Sequence, residues 1–264
     1  MLSDREKLRY GRQLVIPEVG EKGQEKLKKA RVLVAGAGGL GSPASYYLAA
    51  AGVGTIGLLD SDRVELSNLQ RQILHSSSRI EEPKVLSGSR TLSDLNPEIE
   101  VFPMEKRLEP ENAGKIIEDF HLVVDGSDNF RTRYIVNDAC VLQGKPYVFG
   151  SVLRFEGQAS VFHTPKSGCY RCLFREPPSP GAVPSCSEAG VIGTAPGVIG
   201  VIEAMETIKL ILGEGEPLLN RLLLFDGLRM SFMEVEYSRD PACPVCGDEP
   251  GITSLEDANY DIEN

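Results

Sequence analysis

The sequence predicts an α/β fold, in which a mostly parallel sheet carries helices on both faces and continues into antiparallel strands. Apolar runs of strand length alternate with helical segments over residues 31–152, as in consecutive βαβ units with right-handed crossovers. A glycine-rich turn follows the first of these runs. From residue 153 onward, alternating apolar residues, one long apolar helix and a hairpin pattern predict antiparallel strands.

Two short helices are predicted ahead of the sheet, within residues 1–30. Ser3 and Glu6 have the spacing of a capping box, in which each side chain accepts from the other residue's backbone amide. A charged helix should therefore begin here and continue to about Leu14. Lys26–Lys29 should end the second helix, because cations suit the negative end of the helix dipole.

Strands and helices then follow in order. The predicted parallel strands are Val32–Ala35, Ile56–Leu59, Ile99–Phe102, Leu122–Asp125 and Pro146–Val152. The helices predicted between them end near Ala51, begin at Pro83, begin near Pro110 and span about Asn129–Leu142. The elements predicted in the last third are the strand Gln158–Phe162, the helix Gly197–Leu212, and the hairpin strands Leu222–Phe225 and Phe232–Tyr237. The proline-rich run Glu176–Ser185 should be a mobile loop.

The composition argues against two classes of partner. Lys and Arg total 28 against 38 Asp and Glu, a net charge of −10, so the chain lacks the basic surface of a nucleic-acid-binding or membrane-surface protein. Its longest uncharged stretch, Ala189–Ile202, is broken by Gly and Pro and is too short to cross a bilayer. The first residues contain no apolar signal-peptide region, which predicts a cytoplasmic protein.

Two C-x-x-C pairs stand out among the cysteines, Cys169/Cys172 and Cys243/Cys246. In a chain expected in a reducing compartment, two such pairs favour a metal site over disulfides. A redox pair and an iron–sulfur cluster are the alternatives. Cys140 lies within a helical pattern and is expected in the core.

The turn that follows the first strand has the G-x-G-x-x-G spacing of a Rossmann-like nucleotide-binding turn, with glycines at Gly36, Gly38 and Gly41. Glycine here permits a tight turn, close approach of the backbone to phosphate, and close packing of helix on strand. Asp60 ends the next strand and is placed to accept hydrogen bonds from ribose hydroxyls. The same motif occurs in NAD-dependent enzymes, so it predicts a nucleotide without naming a reaction.

Charged residues near neighbouring strand ends help to distinguish binding of a triphosphate from binding of a hydride-transfer cofactor. Arg71 follows the second strand, Lys84 stands at a helix start, and Asp128 lies just past the fourth strand. The carboxyl ends of parallel strands meet at one edge, so these side chains should share a cleft with Asp60. Two cations and an additional carboxylate suit a triphosphate with Mg²⁺, and hydride transfer needs neither. The histidines, which form no cluster in the sequence, are His75, His121 and His163.

Taken in this order, the motifs resemble those of the MoeB/ThiF/HesA family of adenylyltransferases, which are related to ubiquitin-activating enzymes. The resemblance runs from about Arg9 to Cys246. The motifs are Arg9-Tyr-Gly-Arg12, Gly36–Gly41, Ser67–Arg71, Lys84, Asp128-Asn129, the CYRC pair, Cys186-Ser-Glu-Ala-Gly190 and the CPVC pair. The resemblance implies an ATP-dependent enzyme that activates the C-terminal Gly-Gly carboxylate of a ubiquitin-like sulfur-carrier protein. The products would be an acyl-adenylate and pyrophosphate, for sulfur transfer in the biosynthesis of a cofactor such as the molybdenum cofactor or thiamine.

The resemblance also implies a role for each matching residue. The backbone at Gly39 would lie against the α-phosphate, and Asp60 would hold the ribose. Arg71 and Lys84 would contact the phosphates, and Asp128 would hold Mg²⁺. The other nucleotide-binding residues it implies are Gly36, Gly38, Gly41, Ser67, Asn68, Gln70 and Asn129.

Further expectations come from the same resemblance. The family is homodimeric, and Arg12 would reach the site of the other subunit, as an arginine supplied in trans. Cys169, Cys172, Cys243 and Cys246 would form one structural Cys₄ zinc site joining distant segments. Cys186 would lie where its thiol can reach a bound acyl-adenylate, and the alternative is an incidental loop cysteine. Sulfur would come from a separate protein, a cysteine desulfurase or a rhodanese-like protein.

On this interpretation, residues 1–247 form a single adenylating domain. It consists of N-terminal helices (1–30), a nucleotide-binding half (31–152) and a carrier-binding and zinc half (153–247). Residues 248–264 carry six acidic and no basic residues and are expected to be a flexible tail. An NAD-dependent oxidoreductase and a non-catalytic nucleotide-binding subunit are the alternative functions. The cysteine pairs and the two cations argue against the first, and the presence of every implied catalytic residue argues against the second.

Overall fold

The computed structural model describes residues 1–179 and 186–262. The strands in these ranges are β1 (Arg31–Ala35), β2 (Thr55–Leu59), β3 (Glu100–Met104), β4 (Leu122–Asp125), β5 (Tyr147–Leu153), β6 (Glu156–Phe162), β7 (Arg221–Asp226) and β8 (Ser231–Glu236). They form one eight-stranded sheet in the order β3-β2-β1-β4-β5-β6-β7-β8. The pairs among β1 to β5 are parallel, and those from β5 to β8 are antiparallel. The predicted mixed sheet is therefore confirmed.

Helices cover both faces of the sheet, as predicted. They are α1 (Asp4–Arg9), α2 (Gly11–Leu14), α3 (Gly20–Lys29), α4 (Gly41–Ala51), α5 (Lys84–Leu95), α6 (Pro110–Glu118), α7 (Phe130–Gln143), α8 (Tyr170–Leu173), α9 (Cys186–Ala189) and α10 (Thr194–Leu212). Val32 and Val34 of β1 pack in one cluster with residues of α4, α5 and α10, whereas Leu33 packs with α6 and α7. Strand side chains alternate between faces, so β1 needs apolar residues on both. None of the helices in the described residues is long and apolar enough to span a bilayer.

The N-terminal helix is shorter than expected. The capping box at Ser3 is present, but α1 ends at Arg9 and a separate short helix, α2, follows. Tyr10 at the break is 3% exposed, and its hydroxyl accepts a hydrogen bond from Asn96 Nδ2 at 2.8 Å. Anchoring Tyr10 beneath α5 turns the chain, and the weak helix former Gly11 offers little resistance.

The acidic C-terminal segment, expected to be a flexible tail, packs against the domain over residues 252–262. Ile252 and Tyr260 are buried, 8% and 4% exposed, and Leu255 packs against the cluster on the α6 and α7 face. The Tyr260 hydroxyl donates to Asp138 Oδ2 at 2.8 Å. Acidic composition predicted solvation, but a few apolar and aromatic anchors are enough to hold the chain on the surface.

One carboxyl group lies in the apolar layer between α10 and β5. Glu203 is fully buried, and neither of its carboxyl oxygens has a hydrogen-bond partner among the described residues. Gly150 of β5 makes room for it, because a Cβ there would lie 2.5 Å from Glu203 Cδ. Burial raises the pKa of Glu203 well above its ordinary value, and the nearby Asp125 carboxylate raises it further.

This burial gives a pH-dependent prediction for Glu203→Gln. Above the ordinary pKa of glutamate, the unfolded wild-type chain releases a proton that the folded chain keeps, so the wild-type free energy of unfolding falls as pH rises. The variant lacks this penalty. Its stability relative to wild type should increase from pH 5 to pH 8, by up to about 1.4 kcal/mol per pH unit while the folded carboxyl stays protonated. Urea unfolding at both pH values measures this, and an equal difference at the two would contradict it.

Candidate functional site

Three glycine backbones meet where β1, β4 and α4 converge. A Cβ on Gly41 would lie 1.8 Å from the Gly36 carbonyl oxygen, and a Cβ on Gly126 would lie 2.2 Å from the same oxygen. Gly36 also has φ +113°, which L side chains rarely adopt. This contact brings the N-terminus of α4 to the carboxyl edge of the sheet, where its backbone amides suit a phosphate.

A cavity of about 410 Å³ opens at this edge. The sequence-predicted residues that line it are Gly36, Gly38, Gly39, Asp60, Arg71, Lys84, Asp128 and Asn129. Further lining residues that the sequence analysis did not single out are Asp62, Gln72, Lys106, Arg107, Leu108, Ser127, Arg131, Thr132, Arg133 and Ile262. The expected meeting of strand ends around one cleft is therefore confirmed.

Asp60 bridges the glycine turn and the segment after β2. Its Oδ2 accepts from the Ala37 amide at 2.8 Å, and its Oδ1 accepts from the Asp62 amide at 2.8 Å. Each carboxylate oxygen keeps a second lone pair for a ligand hydroxyl. The carboxylate is thereby fixed at the cavity wall.

The two predicted cations are held in different ways. Lys84, the first residue of α5, is 6% exposed, and its Nζ lies 2.9 Å from Asp62 Oδ2. A cation in a first helical turn opposes the helix dipole, and Asp62 offsets this. The Arg71 side chain passes over the glycine turn, since a Cβ on Gly39 would lie 3.5 Å from Arg71 Cγ. Both cations therefore border the space above the turn.

Asp128 and Asn129, which follow β4, have different surroundings. The Asn129 side chain caps α7 by accepting from the Thr132 amide at 2.8 Å, so it has a structural duty at the cavity wall. Asp128, the residue before it, is exposed toward the cavity that it lines. Its carboxylate is thus available to a ligand or a cation.

A buried network holds the loop that carries Asp128. Asp125 accepts from the Ser127 amide at 2.9 Å and from the Ser127 hydroxyl at 2.6 Å, and the Tyr147 hydroxyl donates to its other oxygen at 2.5 Å. Burial raises the pKa of Asp125, and the charge of Arg133, whose Nε lies 3.7 Å away, opposes this. These contacts orient the loop before any ligand arrives.

His75 supports the glycine turn from below. Its Nε2 lies 2.9 Å from the Ala37 carbonyl oxygen and its Nδ1 lies 3.0 Å from Ser87 Oγ. Burial lowers the pKa of His75, so the ring is neutral at pH 7. A carbonyl only accepts, so Nε2 donates to Ala37 and Nδ1 accepts from Ser87. This histidine positions the turn and is not available as a base.

Some sequence-predicted residues do not line the cavity. Ser67, Asn68 and Gln70 belong to the turn that carries Arg71, and the Ser67 carbonyl accepts from Arg71 Nη1 at 3.3 Å. Arg12 is exposed on α2 and does not line this cavity. The side chain of Cys186 lies outside the described part of the chain.

Two basic residues of the cavity could have been found from the sequence. Lys106 and Arg107 follow β3 as Asp60 follows β2, so the strand-end rule that located Asp60 applies equally to them. Arg133 gave no comparable signal, because it reaches the cavity from within α7, as the fourth residue of that helix.

The two C-x-x-C pairs come together in space. The four Sγ atoms lie within 4.8 Å of one another, with Cys169 3.5 Å from Cys243 and Cys172 3.4 Å from Cys246. The Asp240 amide donates to Cys172 Sγ at 3.3 Å. The cluster joins the segment after β6 to the segment after β8, as the sequence predicted.

Comparisons with known proteins agree with this architecture. Residues 10–245 match the model of the ThiF family. The chain is 53% identical over 254 residues to the sulfur carrier protein adenylyltransferase of Thermus thermophilus, covering 94% of each chain. It is 48% identical over 252 residues to the SAMP-activating enzyme E1 of Haloferax volcanii, covering 96% of this chain and 93% of that protein. Escherichia coli MccB, solved with ATP, has a TM-score of 0.79 at 26% identity, covering 90% of this chain and 74% of that one.

The resemblance inferred from the motifs is confirmed by these matches, which span the glycine turn, the strand-end residues and the cysteine pairs. The chain belongs to the ThiF family.

Proposed function

We propose that this protein is an ATP-dependent adenylyltransferase that activates the C-terminal Gly-Gly carboxylate of a ubiquitin-like sulfur-carrier protein. The observation that carries the proposal is the convergence on one cavity of the glycine turn, Asp60, Arg71, Lys84 and Asp128. The names of the two relatives, a sulfur carrier protein adenylyltransferase and a SAMP-activating E1, support the carrier as substrate. The fold neighbour solved with ATP supports the nucleotide.

In this proposal ATP binds along the edge of the sheet. Its ribose hydroxyls would donate to Asp60, and its α-phosphate would lie over Gly39, where the Arg71 side chain borders the glycine turn. Lys84 borders the phosphate space, and the cavity lining continues to Val152 and Pro196 on the side of β5 and α10. The extended glycine tail of the carrier would approach the α-phosphate from that side.

The reaction needs no side-chain base, because the carrier's terminal carboxylate is already ionised at pH 7. A carboxylate oxygen forms a bond to the α-phosphorus, and the bond from that phosphorus to the bridging oxygen of pyrophosphate breaks. The electron pair of the broken bond leaves with pyrophosphate, and the product is an acyl-adenylate. Arg71 and Lys84 stabilise the charge that develops on the phosphate oxygens.

The residues present fit Mg²⁺. This ion is usually held by one or two carboxylates together with substrate phosphates, and Asp128 offers an exposed carboxylate at the phosphate side of the cavity. When bound, Mg²⁺ neutralises phosphate charge and orients the triphosphate.

The residues present also fit a structural Zn²⁺. A tetrahedral site with Zn–S bonds of about 2.3 Å requires sulfur–sulfur separations of about 3.8 Å. The separations of 3.4, 3.5 and 3.9 Å within the cluster are close to this value. Four thiolates leave no open position on the metal, so the site would staple the chain and take no part in catalysis.

Partners and organisation complete the proposal. The protein would act as a homodimer with Arg12 reaching the other subunit's site, and a separate cysteine desulfurase or rhodanese-like protein would supply sulfur. Cys186 would receive the acyl group or sulfur. Residues 1–247 would form one adenylating domain, with the nucleotide half at 31–152 and the carrier and zinc half at 153–247. A cytoplasmic location suits four reduced cysteines.

The central test is ATP–pyrophosphate exchange with a carrier ending in Gly-Gly. We expect exchange that depends on the carrier. The exchange rate should fall at least about a hundredfold in Asp128→Ala, because this variant lacks the carboxylate proposed to hold Mg²⁺ beside the triphosphate. Asp94→Ala removes the same charge from an exposed site on α5 and should exchange at the wild-type rate. Binding of NAD without any carrier-dependent exchange would instead support the oxidoreductase alternative.

The homodimer with Arg12 in trans predicts complementation. Arg12→Ala and Asp128→Ala should each be inactive alone. After subunit exchange in an equimolar mixture, half of the dimers are mixed, and one of their two sites has both residues intact, so about a quarter of the wild-type exchange rate should return. If the mixture stays as inactive as its components, Arg12 does not act across the interface.

The zinc proposal predicts the metal content of the purified protein. Elemental analysis should find about one zinc per chain in wild type and none in Cys172→Ser. Losing such a site removes several kcal/mol of folding free energy, so the variant's Tm should fall by about 10 °C or more. Cys140→Ala, a buried cysteine outside the cluster, should retain its zinc. The proposal is contradicted if the wild-type protein contains no zinc and if Cys172→Ser has the same Tm as wild type.

A further inference from the structure

The C-terminal segment runs from the cysteine cluster to the nucleotide cavity. It leaves Cys246, packs Ile252 against the cluster, and continues along α6 and α7. Tyr260 is 4% exposed, and Ile262 lines the cavity. We call residues 252–262 the C-terminal strap.

Specific contacts fix the end of the strap at the cavity. Arg131 Nε donates to the Tyr260 carbonyl at 3.1 Å, and the same guanidinium pairs with Glu109. The Tyr260 hydroxyl donates to Asp138 Oδ2 at 2.8 Å. The backbone and the side chain of Tyr260 are thus held by separate positions of α7, so the position of Ile262 is determined by the fold.

The strap is also tied to the cysteine cluster through a buried ion pair. Asp138, which receives the Tyr260 hydrogen bond, accepts from Arg171 Nε at 2.8 Å and from Arg171 Nη2 at 2.7 Å. Arg171 stands between Cys169 and Cys172 in the chain. Asp138 of α7 therefore binds both Tyr260, near the end of the strap, and Arg171, beside the cysteine cluster.

The order of the strands indicates which end of the cavity a nucleotide base would occupy. Along the sheet edge, the glycine turn follows β1, Asp60 follows β2, and residues 106–108 follow β3. Phosphates over the glycine turn and a ribose on Asp60 direct the base away from the turn. The apolar lining residues Leu59 and Leu108 belong to the same buried cluster against which Ile262 packs.

We propose that Ile262 of the C-terminal strap forms, with Leu59 and Leu108, the apolar wall that contacts the nucleotide base. This inference rests on the proposed function and deepens it. The strap is then a part of the nucleotide site, although it begins beyond the second cysteine pair. A flat, apolar base face loses water against these side chains, whereas the ribose and phosphates are bound by the polar residues described above.

The test compares two ligands by isothermal titration calorimetry on the full chain with Mg²⁺. ATP contains the base, and ribose 5′-triphosphate lacks it. Ile262→Ala should raise the Kd for ATP about fivefold, the loss expected when a half-buried side chain gives up three carbons. It should leave the Kd for ribose 5′-triphosphate unchanged. Ile262→Leu, which keeps the apolar volume, should restore ATP binding.

A neighbouring variant provides the control. Asp261→Ala changes an exposed residue of the strap that does not line the cavity, and it should bind both ligands as wild type does. An unchanged Kd for ATP in Ile262→Ala overturns the inference, and so does an equal rise for both ligands, which would indicate a general loss of structure. If wild type binds neither ligand, the proposed function fails and the inference fails with it. If wild type binds ATP but Ile262→Ala binds it equally well, only the inference fails.

Discussion

The contact among Gly36, Gly41 and Gly126 is the constraint on which the rest of the site depends. Side chains at Gly41 and Gly126 would meet the Gly36 carbonyl oxygen at 1.8 and 2.2 Å, so β1, β4 and α4 can converge only as bare backbone. This convergence sets the α4 N-terminus beside the loop that carries Asp128. The residues after β2 then border the same space, since β2 pairs with β1 in parallel. The glycine turn and the Asp128 carboxylate thereby share one cavity.

Charge in this protein is arranged locally. The chain carries a net −10, yet the cavity is lined by Arg71, Lys84, Lys106 and Arg107. These basic side chains would attract an anionic nucleotide to this cavity of a protein that is acidic as a whole. The acidic strap lies against the same domain, and its anchors are a tyrosine and isoleucines. Its acidic residues stay on the outside, which explains how an acidic segment can approach an anion site.

Many features of the sheet and of the cavity were predictable from the sequence, because they depend on residues that are close together in the chain. The strand Leu122–Asp125 has the predicted bounds, and Gly36, Asp60 and Asp128 line the cavity because strand ends and tight turns are short-range features. The packing of the strap was not predictable, because it depends on where α7 places Arg131 and Asp138, far from the strap in sequence. Buried networks such as Asp125 with Tyr147 join two strands and escape sequence patterns for the same reason.

A crystal structure with Mg²⁺ and a non-hydrolysable ATP analogue tests the central claim most directly. The account predicts the α-phosphate over Gly39 beside Arg71, the ribose on Asp60, and the metal on the Asp128 carboxylate. Nucleotide bound elsewhere on the domain, or bound here with its phosphates away from the glycine turn and Asp128, would contradict it.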